Sequence, residues 1–111
     1  MMTKDVIDNL GLKPLSKFEH REVTGVIVSD MLSDVMAGAK SGNLWVTVQT
    51  HKNIIPAANL VDVSAIIVTN GKTVPTDTIE LANRHAVGVL GTGLSTFELV
   101  GKLYNLGLAT T

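Results

Sequence analysis

His51 is the residue best suited to acid–base chemistry in this sequence. An imidazole titrates near neutral pH and can take or give a proton, but only beside an orienting partner within hydrogen-bond reach. Gln49-Thr50-His51 directly follows a strand-like segment, and Ser29-Asp30 follows another. Asp30 can partner His51 only if those two strands are neighbours; otherwise His51 is a surface or capping residue. His20 falls in a polar stretch and His85 at a helix end, and both read as solvated. Neither has metal-ligand spacing with another His or a carboxylate. Asp30 and Asp34 lie one helical turn apart, which suits a structural or solvated pair better than a cation site. The sequence therefore assigns no catalytic residue, no metal and no cofactor.

The chain completes none of three common motifs. Gly91-Thr92-Gly93 opens like a dinucleotide loop, yet Thr96 stands where the third glycine belongs. No GxxxxGK[ST] occurs, which argues against a P-loop kinase or NTPase, and no GxSxG elbow is found. With no cysteine, a thiol nucleophile, a disulfide and a thiolate metal site are all excluded.

The elements that would position these residues can be read from periodicity. Val6, Ile7 and Leu10 share one face of a lead-in helix, with Thr3 as its expected N-cap and Gly11 as its stop. Lys13 to His20 holds a short edge strand at most. Strands are expected at 23–28, 44–49, 65–68 and 87–90, separated by helices at 31–40, 53–61 and 77–85, with a last helix at 95–105. Ser29-Asp30 read as a helix cap, and Asp77/Glu80 and Ser95/Glu98 as capping boxes. Repeated βα units imply one domain over 1–111, a three-layer α/β/α fold with a mainly parallel sheet of four or five strands. Only the Ala-Thr-Thr tail reads as frayed.

In such a sheet ligands gather at the carboxyl ends of the strands. Ser29, Asp30, Thr50, His51, Asn70 and Thr92 all fall there and are candidate ligand-binding residues. Small polar residues are also what helix starts require, so topology alone could produce this rim. A small enzyme or phosphate-binding protein built on it is the alternative functional reading. Trp45, the one tryptophan, would anchor an adaptor surface if exposed; core burial is its expected fate.

Hydrophobic residues make up 45% of the 111 residues and aromatics 4%, so the core is aliphatic and base-stacking platforms are not expected. Nine basic and ten acidic residues give a net charge of −1, with no basic cluster, which argues against nucleic acid and anionic membrane as partners. No apolar stretch is long enough for a membrane span, and the N-terminus is unlike a signal peptide. A cytoplasmic setting is expected.

Glu22-Val23-Thr24-Gly25-Val26 continues into Ile27-Val28-Ser29-Asp30-Met31-Leu32-Ser33. With Val48-Gln49-Thr50-His51, Asn53-Ile54, Ala65-Ile66-Ile67, Gly71, Phe97-Glu98 and Gly101-Lys102-Leu103-Tyr104, this resembles the DRTGG domain over nearly the whole chain. Glu22 stands where the naming motif has Asp, Val23 where it has Arg and Val26 where it has the second Gly, while Thr24 and Gly25 match. The resemblance implies a domain similar to the N-terminal domain of HPr kinase/phosphorylase and to the DRTGG domain of CBS-containing regulatory pyrophosphatases. It adds Thr24 and Gly25 to the candidate contacts, for ligand or subunit. It implies a non-catalytic regulatory or accessory module that homodimerises and senses a small anionic metabolite or nucleotide. HPr kinase activity is not expected, because the P-loop is missing.

Overall fold

A computed structural model describes residues 1–110. The chain runs α1 (Thr3–Leu10), β1 (Lys13–Pro14), β2 (Gly25–Val28), α2 (Leu32–Gly38) and β3 (Asn43–Thr47). It continues through α3 (Ile54–Val61), β4 (Ala65–Val68), α4 (Thr76–His85), β5 (Val89–Gly91) and α5 (Thr96–Asn105). The five strands form one sheet in the order β1-β5-β4-β3-β2. Strands β2 to β5 are parallel, and only β1 is antiparallel, pairing Lys13 with Gly91 and Pro14 with Leu90. The expected three-layer α/β/α architecture is therefore the one observed, with β1 as the short edge strand.

Alternation along the strands splits the core into two layers. Trp45, Ile66, Val68 and Val89 point to one face, where Val35 of α2, Ile54 and Ala58 of α3 and Ala82 of α4 cover them. Leu44, Val46, Ala65, Ile67 and Leu90 point to the other, under Val6 of α1 and Leu99 and Leu103 of α5. Ala65–Val68 is buried at every position, as a strand covered on both faces must be. Trp45 is 0% exposed, and its indole Nε1–H donates to the Ser29 carbonyl at 2.8 Å, so it offers no adaptor surface.

Three expected caps give way to other arrangements. Met2 takes the N-cap position of α1, its amide donating to the Asp5 carboxylate at 2.8 Å, while buried Thr3 accepts from the Arg21 amide. Pro75 precedes α4, leaving Asp77 inside the first turn, where its carboxylate accepts from the Thr78 amide. Asp30 caps no helix; its carboxylate ties the end of β2 to the end of β3. The Ser95/Glu98 capping box does form. Nor is the tail loose at Ala109, whose carbonyl accepts from the Val26 amide at 3.0 Å on the outer edge of β2; Thr111 lies outside the described residues.

Candidate functional site

The parallel arrangement brings the carboxyl ends of β2 to β5 to one edge of the sheet, and with them Ser29, Asp30, Thr50, His51, Asn70 and Thr92. Thr24 and Gly25 start β2 and lie at the opposite edge. The eight candidates therefore do not form a single site.

Along the rim, polar side chains mostly secure their own loops. The Asp30 carboxylate accepts from Thr47 Oγ1 and from the Val48 amide, both at 2.9 Å, tying the end of β2 to the end of β3. Gln49 Nε2 donates to the Asp30 carbonyl at 3.0 Å in the same knot. Ser29 Oγ accepts from the Met31 amide and Thr92 Oγ1 from the Leu94 amide, both at 3.1 Å. Strands β2 and β3 are neighbours, yet no hydrogen bond joins His51 to Asp30 among the described residues. Exposed His51 instead accepts from the Asn53 amide through Nδ1 at 3.1 Å, a turn-forming role. The Thr50 carbonyl accepts from the buried Thr78 hydroxyl at 2.8 Å, fastening α4 to this loop.

At the opposite edge, Thr24 Oγ1 donates to the Ser41 carbonyl at 2.7 Å and accepts from Asn43 Nδ2 at 3.2 Å. Gly42 fits beneath it: a Cβ there would stand 2.7 Å from Thr24 Cγ2. Nearby, the Arg21 guanidinium grips Asp62 with two bonds of 2.7 and 3.0 Å, and Ser41 Oγ donates to the same carboxylate. Arg21, followed by the Ser41 hydroxyl, holds the Asp62 carboxyl at about 2. This edge of the fold, where the motif-like segment lies, is a structural clamp between three turns.

One place on the rim differs. Helices α2, α3 and α4 follow β2, β3 and β4 onto one face, whereas α5 follows β5 onto the other. The adjacent ends of β4 and β5 are thus where successive connections diverge, the position at which open α/β sheets leave a crevice. Asn70 and Gly71 both take positive φ, 62° and 63°, and Lys72 N donates back to the Thr69 carbonyl, so the chain turns sharply out of β4. The two loops are stitched by Asn70 N to Leu94 O at 2.8 Å and Gly71 N to Thr92 O at 2.9 Å. Thr69 Oγ1 and Thr96 Oγ1 meet at 2.7 Å below them. Beside this seam, toward β1, lies a pocket of about 490 Å³. Lys13, Lys72, Gly71, Thr73, Thr92 and Gly93 provide its polar wall, and Leu15, Val74 and Ile79 an apolar one. Of the eight candidates, only Thr92 lines it; Lys13 and Lys72 carry no expectation from the sequence.

The fold and site define a mainly parallel α/β/α domain with a pocket beside the β4–β5 divergence. More particularly, the DRTGG domain model matches residues 5–106, and the chain belongs to that family. Among solved structures it is similar to the CBS and DRTGG domains of the regulatory region of Clostridium perfringens pyrophosphatase, complexed with the activator diadenosine tetraphosphate. That likeness has a TM-score of 0.69 at 21% identity, over 89% of this chain and 44% of the other, and establishes a shared fold. No curated protein matches the chain significantly. Among the described residues no helix is long and apolar enough to cross a membrane.

Proposed function

We propose that this DRTGG domain is a non-catalytic regulatory module that works as a homodimer and responds to a small anionic metabolite or nucleotide. Family membership supports the accessory role, and the pyrophosphatase region that shares the fold is itself regulatory and was solved with a nucleotide activator.

The observation that carries the dimer is the outer face of α5. Leu99 and Leu103 are buried against the sheet, which leaves Phe97 87% and Tyr104 72% exposed on the other side of the helix. Between them Gly101 has nothing within 4 Å of a would-be Cβ, so a second helix can approach closely there. Phe97 precedes Gly101 by four residues and Tyr104 follows it by three, one turn to either side. The occupant this face fits is a second copy of the chain. A twofold interface must be self-complementary, and α5 packed antiparallel on its copy about Gly101 sets Phe97 against Tyr104 twice. The same pairing sets Glu98 toward Lys102 of the other copy, so the charges match as well. Val100 and Tyr104 also border an apolar groove reaching Val26 and Val28 of β2, extending the patch beyond the helix.

Sedimentation velocity at micromolar concentration tests this. A species of twice 11.8 kDa is expected; a strict monomer across that range counts against the homodimer.

A further inference from the structure

We propose that the pocket between β1, the β4–α4 loop and the β5–α5 loop is a binding site for a phosphorylated small molecule, with Lys13 and Lys72 as its cationic arms. This rests on the reading of the domain as a sensor of small anions and names the place and chemistry of that sensing.

Four independent features converge there. The volume of about 490 Å³ lies within the range of small-molecule sites. Two lysines border it with no carboxylate in its wall, and neither lysine forms an ion pair among the described residues. The backbone amides of Thr73 and Gly93 also donate to nothing among the described residues, leaving two more donors beside the cations. Ammonium groups and free amides are the donors that bind phosphate oxygens. Finally, the wall is two-sided, with Leu15, Val74 and Ile79 offering apolar cover for a base or carbon skeleton attached to the phosphate.

The pocket is assembled from distant parts of the chain. Antiparallel pairing sets Lys13 directly beside Gly91, and the Asn70-Gly71 turn sends Lys72 toward the same opening. An occupant would bridge the edge strand and both loops. The site thereby couples the α1–β1 segment to the start of α5, whose outer face is the proposed dimer surface.

The test is an amide-resolved NMR titration of the intact chain with ADP and, separately, inorganic pyrophosphate. It is run on the wild type and on Lys13→Gln, Lys72→Gln, Gly93→Leu and Lys52→Gln. Gly93 lines the pocket, is not in the left-handed region, and a Cβ there meets nothing within 4 Å, so Leu adds bulk at the pocket wall without backbone strain. The expected result is movement of the amides of 71–73 and 91–93. Affinity should fall about tenfold for each pocket lysine removed and vanish in Gly93→Leu, with Lys52→Gln unchanged. Shifts confined to the Ser29–Asp30 or Thr50–His51 loops would overturn this site while keeping the sensing role. Loop shifts that persist undiminished in the lysine and Gly93 variants would overturn the assignment of those groups. If neither probe moves any amide at millimolar concentration, the site and the sensing role both fall.

Discussion

Replacing Phe97 with Ala separates self-association from folding. In one protomer the ring is 87% exposed, so its removal takes almost no contact from the fold. An exposed substitution of this kind should change monomer stability by no more than about 0.5 kcal/mol. In a twofold dimer through α5 the ring is buried twice. At roughly 1.5–3 kcal/mol for each large apolar side chain covered, the loss is about 3–6 kcal/mol per dimer. At 1.4 kcal/mol per factor of ten, the dissociation constant should rise by at least about a hundredfold. Sedimentation velocity over a concentration series reads the dissociation constant. Urea unfolding of the resulting monomer reads the fold, free of the mass-action stabilisation that dimerisation adds. Leu99→Ala on the inner face of the same helix provides the contrast. Leu99 is 0% exposed, and its truncation should cost roughly 2–5 kcal/mol of fold stability. An unchanged dissociation constant in Phe97→Ala would refute the role given to the outer face.

Other perturbations follow from particular contacts. Gly88→Ala would drive a Cβ to 2.7 Å from the Phe18 ring, and should lower stability by about 1–3 kcal/mol in urea unfolding. Asp30→Ala removes two hydrogen bonds between β2 and β3 and should destabilise by about 1–3 kcal/mol, whereas His51→Ala should be near neutral. Equal effects of the two changes would contradict the structural role given to Asp30. Asp62, held at about 2 by Arg21 and Ser41, is more acidic folded than unfolded. Its contribution is therefore full above its ordinary value of 3.8 and is lost as pH falls toward about 2. Because the Asp62 side chain is 55% exposed, solvent screening limits that contribution to about 0.5–1 kcal/mol. The stability gap between wild type and Asp62→Asn should be present near neutral pH and close in strong acid; a gap constant with pH would contradict the clamp.

The sheet was readable because its signals are local. Ala65–Val68 is uniformly apolar, Leu44 to Thr47 alternates between two covered faces, and each following segment carries a helical period. The same logic misplaced Asp30 and Asp77. A carboxylate just after a strand looks like a helix cap, and only the adjacency of β2 and β3 makes Asp30 a cross-strand tie instead. Pro75, already at an extended ψ of 150°, takes the N-cap position of α4 two residues before Asp77. Phe97, Val100, Gly101 and Tyr104 read as one face of the last helix, but periodicity alone does not say whether that face looks inward. Leu99 and Leu103 take the inner side and decide it. The pocket was the least legible feature. Thr92 carries a strand-end signal, whereas Lys13 reaches the site through antiparallel pairing with Gly91 near the far end of the chain, and no local pattern encodes that. The motif-like Thr24-Gly25 proved to lie at the edge away from the pocket, where Thr24 fastens the Ser41–Asn43 turn.

The chain has no cysteine, so a single engineered thiol reports on one surface alone. Gly101→Cys places that thiol at the centre of the outer face of α5, and Lys52→Cys places one on the exposed His51 loop away from it. Under mild oxidation at micromolar concentration, a homodimer crossing at Gly101 predicts rapid conversion of Gly101→Cys to a covalent dimer, with Lys52→Cys remaining monomeric. Cross-linking of both at the same slow rate would mean that the α5 faces do not meet, and would contradict the homodimer proposed for this domain.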